Sequence, residues 1–251
     1  MTDSSTEKSQ MVKKYSECVV IEHWLFLILG IWLVLTAVPT FLNSALVELH
    51  MYDITIPTPF DSPEAHKMLG GMLVALSLFH IAYHSRTSDR ELLSTSPFND
   101  FKEFLHSLLF MIWMTRKDTY LADEKFNGIQ KVTYMSLVYC GGLSIATGIM
   151  LILNSPGSDP VYFENGVLLT HVLTSIMIFF IVLFHIIIAL RKKNWIGMQA
   201  IFLNKDIPAW YVKRYHRNWY DTLVAEGKIE PISLGNQLRL DYDEERPETD
   251  L

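Results

Sequence analysis

Apolar residues along this 251-residue chain gather into four long blocks separated by polar connections. The blocks run Val19–Val38, His66–Tyr83, Val132–Leu153 and Val167–Leu190, of 20, 18, 22 and 24 residues. A helix rising 1.5 Å per residue needs about 20 apolar residues to cross a ~30 Å hydrocarbon layer. Each block therefore predicts a transmembrane helix. Between the second and third blocks the period changes. From Asn99 to Met114 the apolar residues Phe101, Phe104, Leu105, Leu108, Leu109, Ile112 and Trp113 recur on one helical face. That spacing predicts an amphipathic helix in the inner membrane interface, with a short core helix of a cytoplasmic insert as the alternative. The tail after the fourth block carries Trp210, Tyr211, Tyr215, Trp219 and Tyr220, read as docking a partner or resting at the lipid headgroups. Its acidic last ten residues read as solvated.

Composition agrees and narrows the classes. Half the residues are hydrophobic and 19% are charged, against about a quarter charged in ordinary soluble domains. A soluble enzyme is excluded. A net charge of -6 leaves no electrostatic footprint for nucleic acid. Two lone cysteines, Cys18 and Cys140, are too few for a cluster, a c-type haem attachment or a disulfide framework. The first block carries Glu22 and His23 near its start and lacks a small-x-small exit, so it does not read as a cleavable signal peptide.

Basic residues are unevenly placed. All 21 lysines and arginines except Lys67 lie before Cys18, in the connection Arg86–Lys131, or after Leu190. The connections Thr40–Ala65 and Asn154–Gly166 have none. Basic loops stay cytoplasmic, which places both termini on the cytoplasmic side of an inner membrane. The expected architecture is an all-α integral membrane protein, an up-down bundle of four transmembrane helices. Residues 1–18 form a cytoplasmic tail, 19–193 the membrane domain with an interfacial helix in its second connection, and 194–251 a second cytoplasmic tail.

Apart from Glu22 and Lys67 at span ends, the blocks contain no Asp, Glu, Lys or Arg, yet they hold His23, His66, His80, His171 and His185. Polar groups at membrane depth are costly and tend to be functional. His66 and His80 are 14 residues apart, as are His171 and His185. Fourteen residues bring each pair back to one face, about 21 Å apart along the axis. Helices two and four run in the same direction, so two levels result. The outer level offers His66 with His171; the inner offers His185 with either His23 or His80. Neutral imidazole is an axial ligand of haem iron, and two ligands per level suit two stacked haems. Gly70, Gly71 and Gly30, close to these histidines, would let a macrocycle approach. Gly141, Gly142 and Gly148 read as helix-packing positions, and His50, His106 and His216 as surface residues. A haemless zinc or proton transporter is the competing class, but such a path recruits carboxylates, and the spans hold none away from their ends.

The order of these residues resembles the cytochrome b (gamma) subunit of membrane-bound formate dehydrogenase, within the four-helix di-haem cytochromes that also serve nickel-iron hydrogenases and thiosulfate reductases. The likeness covers roughly Glu22 to Lys193 and rests on Glu22-His23-Trp24, on His66 with its following glycines, and on His171 with His185. Its most specific piece is Lys125-Phe126-Asn127-Gly128-Ile129-Gln130-Lys131, similar to the Lys-Tyr-Asn-x-Gly-Gln-Lys segment of that family. Two departures stand out: the arginine usual before the first-helix histidine is absent, and glycine directly follows Asn127. The resemblance implies two haems b, one held by His66 and His171 and the other by His23 and His185, with His80 as the alternative to His23. It also implies a menaquinone or ubiquinone pocket using Asn127, Gly128 and Gln130, with His84 or His80 nearby. The expected function is a quinone-reactive membrane anchor of a respiratory oxidoreductase, without a substrate active site of its own. It would work with an iron–sulfur subunit and a catalytic subunit; a hydrogenase or a thiosulfate or polysulfide reductase is the alternative host complex.

Overall fold

The computed structural model describes residues 10–48, 51, 54–57, 62–87, 97–111, 124–153, 161–191 and 194–232. In chain order these form β1 (Met11–Val12), α1 (Glu17–Glu48), α2 (Ser62–Arg86), α3 (Pro97–Met111), α4 (Gly128–Leu153), α5 (Val161–Ala189), α6 (Trp195–Leu203), β2 (Ile207–Pro208), α7 (Ala209–Tyr215) and α8 (Arg217–Ala225). Four helices are long and apolar enough to cross a membrane, over Glu17–Asn43, Pro63–Arg86, Gly128–Leu153 and Gly166–Ala189. They correspond to the four predicted blocks. The long helices begin before their blocks, by two residues in α1 and four in α2, where Glu17 and Glu64 occupy first turns and favour the positive end of the helix dipole. Large apolar side chains such as Leu25, Phe79, Leu143 and Phe180 point outward from all four, a surface that lipid covers and water would not. The protein is an all-α integral membrane bundle, with a single two-stranded ladder among the described residues.

The chain divides into two compact units. One comprises Ser16–Leu93 and Thr133–Leu203, with the spans and α6. Here α1 packs along α2 and also meets α6, where the Trp24 indole N–H donates to the Phe202 carbonyl at 3.1 Å. Helices α4 and α5 meet through small polar residues, with the Ser144 and Ser175 hydroxyls 3.3 Å apart. Buried Thr36, Thr147 and Thr174 each direct a hydroxyl hydrogen to carbonyls three or four residues back, so none is left unsatisfied in an apolar setting.

The other unit comprises Met1–Tyr15, Ser94–Val132 and Asn204–Leu251. Strands β1 and β2 pair antiparallel, Met11 with Pro208 and Val12 with Ile207. Ile207, Ala209, Val212, Tyr211, Tyr220 and Leu223 form its core. Two of the tail aromatics, Tyr211 and Tyr220, thus pack inside the protein rather than await a partner. The amphipathic helix is present as α3, its Phe98, Phe101 and Leu105 exposed on one side and Asp100 buried, ion-paired with Lys131. Ile112, Trp113 and Met114 lie outside the described residues, as do His50 and the last ten residues.

His216 departs from the surface role expected of it. It is 5% exposed. Its Nδ1–H donates to the Glu124 carbonyl at 2.7 Å, which leaves Nε2 to accept from the Lys14 amine at 3.4 Å. That amine also lies over the rings of Tyr15, Phe126 and Trp219. Burial, with Lys14 beside it, pushes His216 down to about 3; burial and the Lys125 charge push Lys14 down to about 7. Both folded pKa values lie below their ordinary ones, so the unfolded chain binds more protons, and stability falls as pH falls. For His216 that window runs from 6.5 to about 3, and for Lys14 from 10.5 to about 7. We expect amide protection factors at Val212 and Leu223 to drop between pH 6.5 and 4 in hydrogen exchange, and the drop to flatten in His216→Gln.

Candidate functional site

At one level of the bundle, His66 near the start of α2 and His171 in α5 face each other with ring centres 6.4 Å apart and planes at 88°. Each ring is held from behind. The Thr36 hydroxyl lies 3.0 Å from His66 Nδ1. Thr36 is 0% exposed, and its hydrogen is directed to the Trp32 and Leu33 carbonyls at 2.9 and 3.1 Å. Its oxygen therefore accepts from His66 Nδ1–H. On the opposite side, His171 Nδ1 lies 3.0 Å from the Ser144 carbonyl and 3.2 Å from the Thr147 hydroxyl, whose own hydrogen goes to Leu143 or Ser144. In both imidazoles the network places the proton on Nδ1 and leaves the Nε2 lone pair without a hydrogen-bond partner among the described residues. This is the tautomer a metal-ligating imidazole needs, with its other nitrogen anchored by a hydrogen bond. A Cβ at Gly148 would sit 3.1 Å from His171 Cε1, so the glycine makes room for that ring rather than only for a neighbouring helix.

At the second level, His23 from the start of α1 and His185 from the end of α5 have ring centres 6.5 Å apart, at 62°. Phe202 of α6 meets His23 edge-on at 5.1 Å. No hydrogen bond to either imidazole exists among the described residues. His80 stands elsewhere. Its Nδ1 is 3.0 Å from Glu22 Oε2 and its Nε2 3.2 Å from the Tyr134 hydroxyl, while its ring lies 4.3 Å from that of His84. Of the two histidines that spacing alone offered opposite His185, the one whose ring faces it is His23.

Asn127, Gly128 and Gln130 open α4, in the unit containing α3, α7 and α8. The Asn127 side-chain oxygen accepts the Gln130 N–H at 2.9 Å, and the Gln130 side-chain oxygen accepts the Asn127 N–H at 3.1 Å. This reciprocal capping satisfies two amides that a helix start would orphan.

Sequence reasoning did not find Thr36, Thr147, Ser144 and Tyr134, nor Glu22 as a partner of histidines. Thr36 is 30 residues from His66 and Thr147 is 24 from His171, separations that carry no helical period. The only available signal was a hydroxyl inside an apolar span.

A membrane bundle that brings imidazoles together in two pairs, one with its Nε2 lone pairs left free, fits a class, the membrane cytochromes of the b type. The family model of prokaryotic cytochrome b561 matches residues 14–202, three quarters of the chain, and the chain belongs to that family. Membership makes it a multi-pass membrane electron-transfer protein with haem b. A search of the curated proteins finds no match.

Proposed function

We propose that the chain is a di-haem b, quinone-reactive anchor subunit of a respiratory oxidoreductase of the formate dehydrogenase kind. It would carry electrons between an iron–sulfur partner and the membrane quinone pool. The observation that carries the di-haem reading is the spacing within the two histidine pairs. A histidine–metal bond is about 2 Å and the ring centre lies roughly 1.2 Å behind its nitrogen, so two imidazoles on one iron have centres about 6.4 Å apart. The pairs measure 6.4 and 6.5 Å. His66 and His171 would hold one haem and His23 and His185 the other; His80 is committed to Glu22 and Tyr134 and holds neither. Bound there, the haems supply reversible one-electron chemistry. The chain supplies the ligands, their orientation through Thr36, Ser144 and Thr147, and an apolar setting that tunes potential.

Asn127, Gly128 and Gln130 are the quinone residues of this reading. With both side-chain oxygens used in the helix cap, the amide NH2 groups remain as donors to a carbonyl of menaquinone or ubiquinone. The support for a formate dehydrogenase-like host is the segment Lys125–Lys131. The basic tails and second connection support cytoplasmic termini in an inner membrane.

A pyridine haemochrome assay on the purified chain should give close to two haems b; one or none would overturn the reading. His171→Ala should remove the haem of the first pair and His23→Ala or His185→Ala that of the second, each leaving one, while His80→Ala keeps both. Gly148→Val, which collides with the His171 ring, should deplete or shift the signal of the first haem. Gly141→Ala, whose Cβ meets nothing within 4 Å, should leave the spectrum unchanged. Extraction from native membranes in mild detergent should co-isolate an iron–sulfur subunit, and isolation of the chain alone would count against an anchor.

A further inference from the structure

Glu22 is 3% exposed and stands one residue before a proposed haem ligand, yet it takes no part in holding that group. A carboxylate removed from water costs several kcal/mol unless paired. Its Oε2 lies 3.0 Å from His80 Nδ1 and 3.1 Å from His84 Nε2. Its Oε1 is buried without a hydrogen-bond partner among the described residues. One ligand atom from each of the three side chains can be chosen so that all lie within 4.8 Å of one another.

From this arrangement we propose that Glu22, His80 and His84 form a binding site for a divalent transition-metal ion, with zinc as the fitting occupant. His80 and His84 are four residues apart in α2 and so share one face. Two imidazoles with one glutamate, leaving a fourth position open, is an established zinc donor set. Ligands about 2 Å from a tetrahedral ion are about 3.3 Å apart, so the Glu22 contacts need to open by a few tenths of an ångström, and the two histidine nitrogens, within 4.8 Å of each other, need to settle at that spacing. Oxygen-seeking ions such as calcium or magnesium would find too few oxygens here. The remaining geometry suits a metal-bound histidine. With Nδ1 given to the ion, His80 Nε2–H donates to the Tyr134 hydroxyl at 3.2 Å, the outer hydrogen bond that orients such rings. Zinc would also neutralise Glu22 and give Oε1 a partner, through bidentate binding or a water in the open position.

The test uses the haem-loaded full chain in detergent, with any affinity tag removed, stripped with chelator, re-equilibrated with zinc and freed of unbound ion. Zinc by mass spectrometry and haem by haemochrome are measured on the same sample, so either can fail alone. The expected result is close to one zinc per chain. X-ray absorption at the zinc edge should show nitrogen and oxygen ligands at about 2.0–2.1 Å with imidazole scattering. Glu22→Gln and His84→Ala should each weaken zinc binding by on the order of tenfold or more with the haem spectrum retained. Substoichiometric zinc in the unaltered chain, zinc without imidazole scattering, or wild-type affinity in either variant would overturn the proposal. If a variant loses haem as well, the absorption spectrum of the unaltered chain decides.

Discussion

Inside a hydrocarbon layer every polar group must find its partner within the protein, and this constraint orders the rest of the structure. Backbone amides meet it by forming helices. Buried threonines meet it by returning their hydroxyl hydrogens to their own helix. Having done so, Thr36 and Thr147 have only oxygen lone pairs left to offer, and those lone pairs take the Nδ1 protons of His66 and His171. The same requirement that keeps the helices satisfied therefore decides the tautomer of the first histidine pair and leaves its Nε2 lone pairs free.

The two levels differ in how their rings are held. His66 and His171 are anchored by hydrogen bonds, and Gly148 leaves His171 the space to stand where it does. His23 and His185 are held by packing, with Phe202 edge-on to His23. A hydrogen bond to the outer nitrogen raises the basicity of a metal-bound imidazole. On the di-haem proposal, the two haems would thus experience different ligand fields, a physical basis for unequal potentials.

Outside the spans, a second set of buried polar groups follows the same logic. Lys14 and His216 are drawn from opposite ends of the chain and buried together, and burial lowers the proton affinity of both. Lys131 is ion-paired with Asp100 and Glu124. The N-terminal segment, the second connection and the C-terminal segment fold as one unit. Taken separately, the two end segments read as tails and the second connection as an amphipathic helix, because none contains enough apolar surface to predict a core by itself.

Much was legible in the chain alone. Hydropathy and helical period are local, so four spans, the amphipathic α3 and the 14-residue histidine spacing could be read residue by residue. The distribution of lysine and arginine predicted an orientation for the same reason. What the linear order could not decide was azimuth, meaning how each helix is rotated and which neighbour its face meets. That alone sets His23 rather than His80 before His185, puts Glu22 between two histidines and lays Gly148 against an imidazole. Depth follows from counting residues along one helix; facing partners depend on the packing of several, and only the tertiary structure contains that.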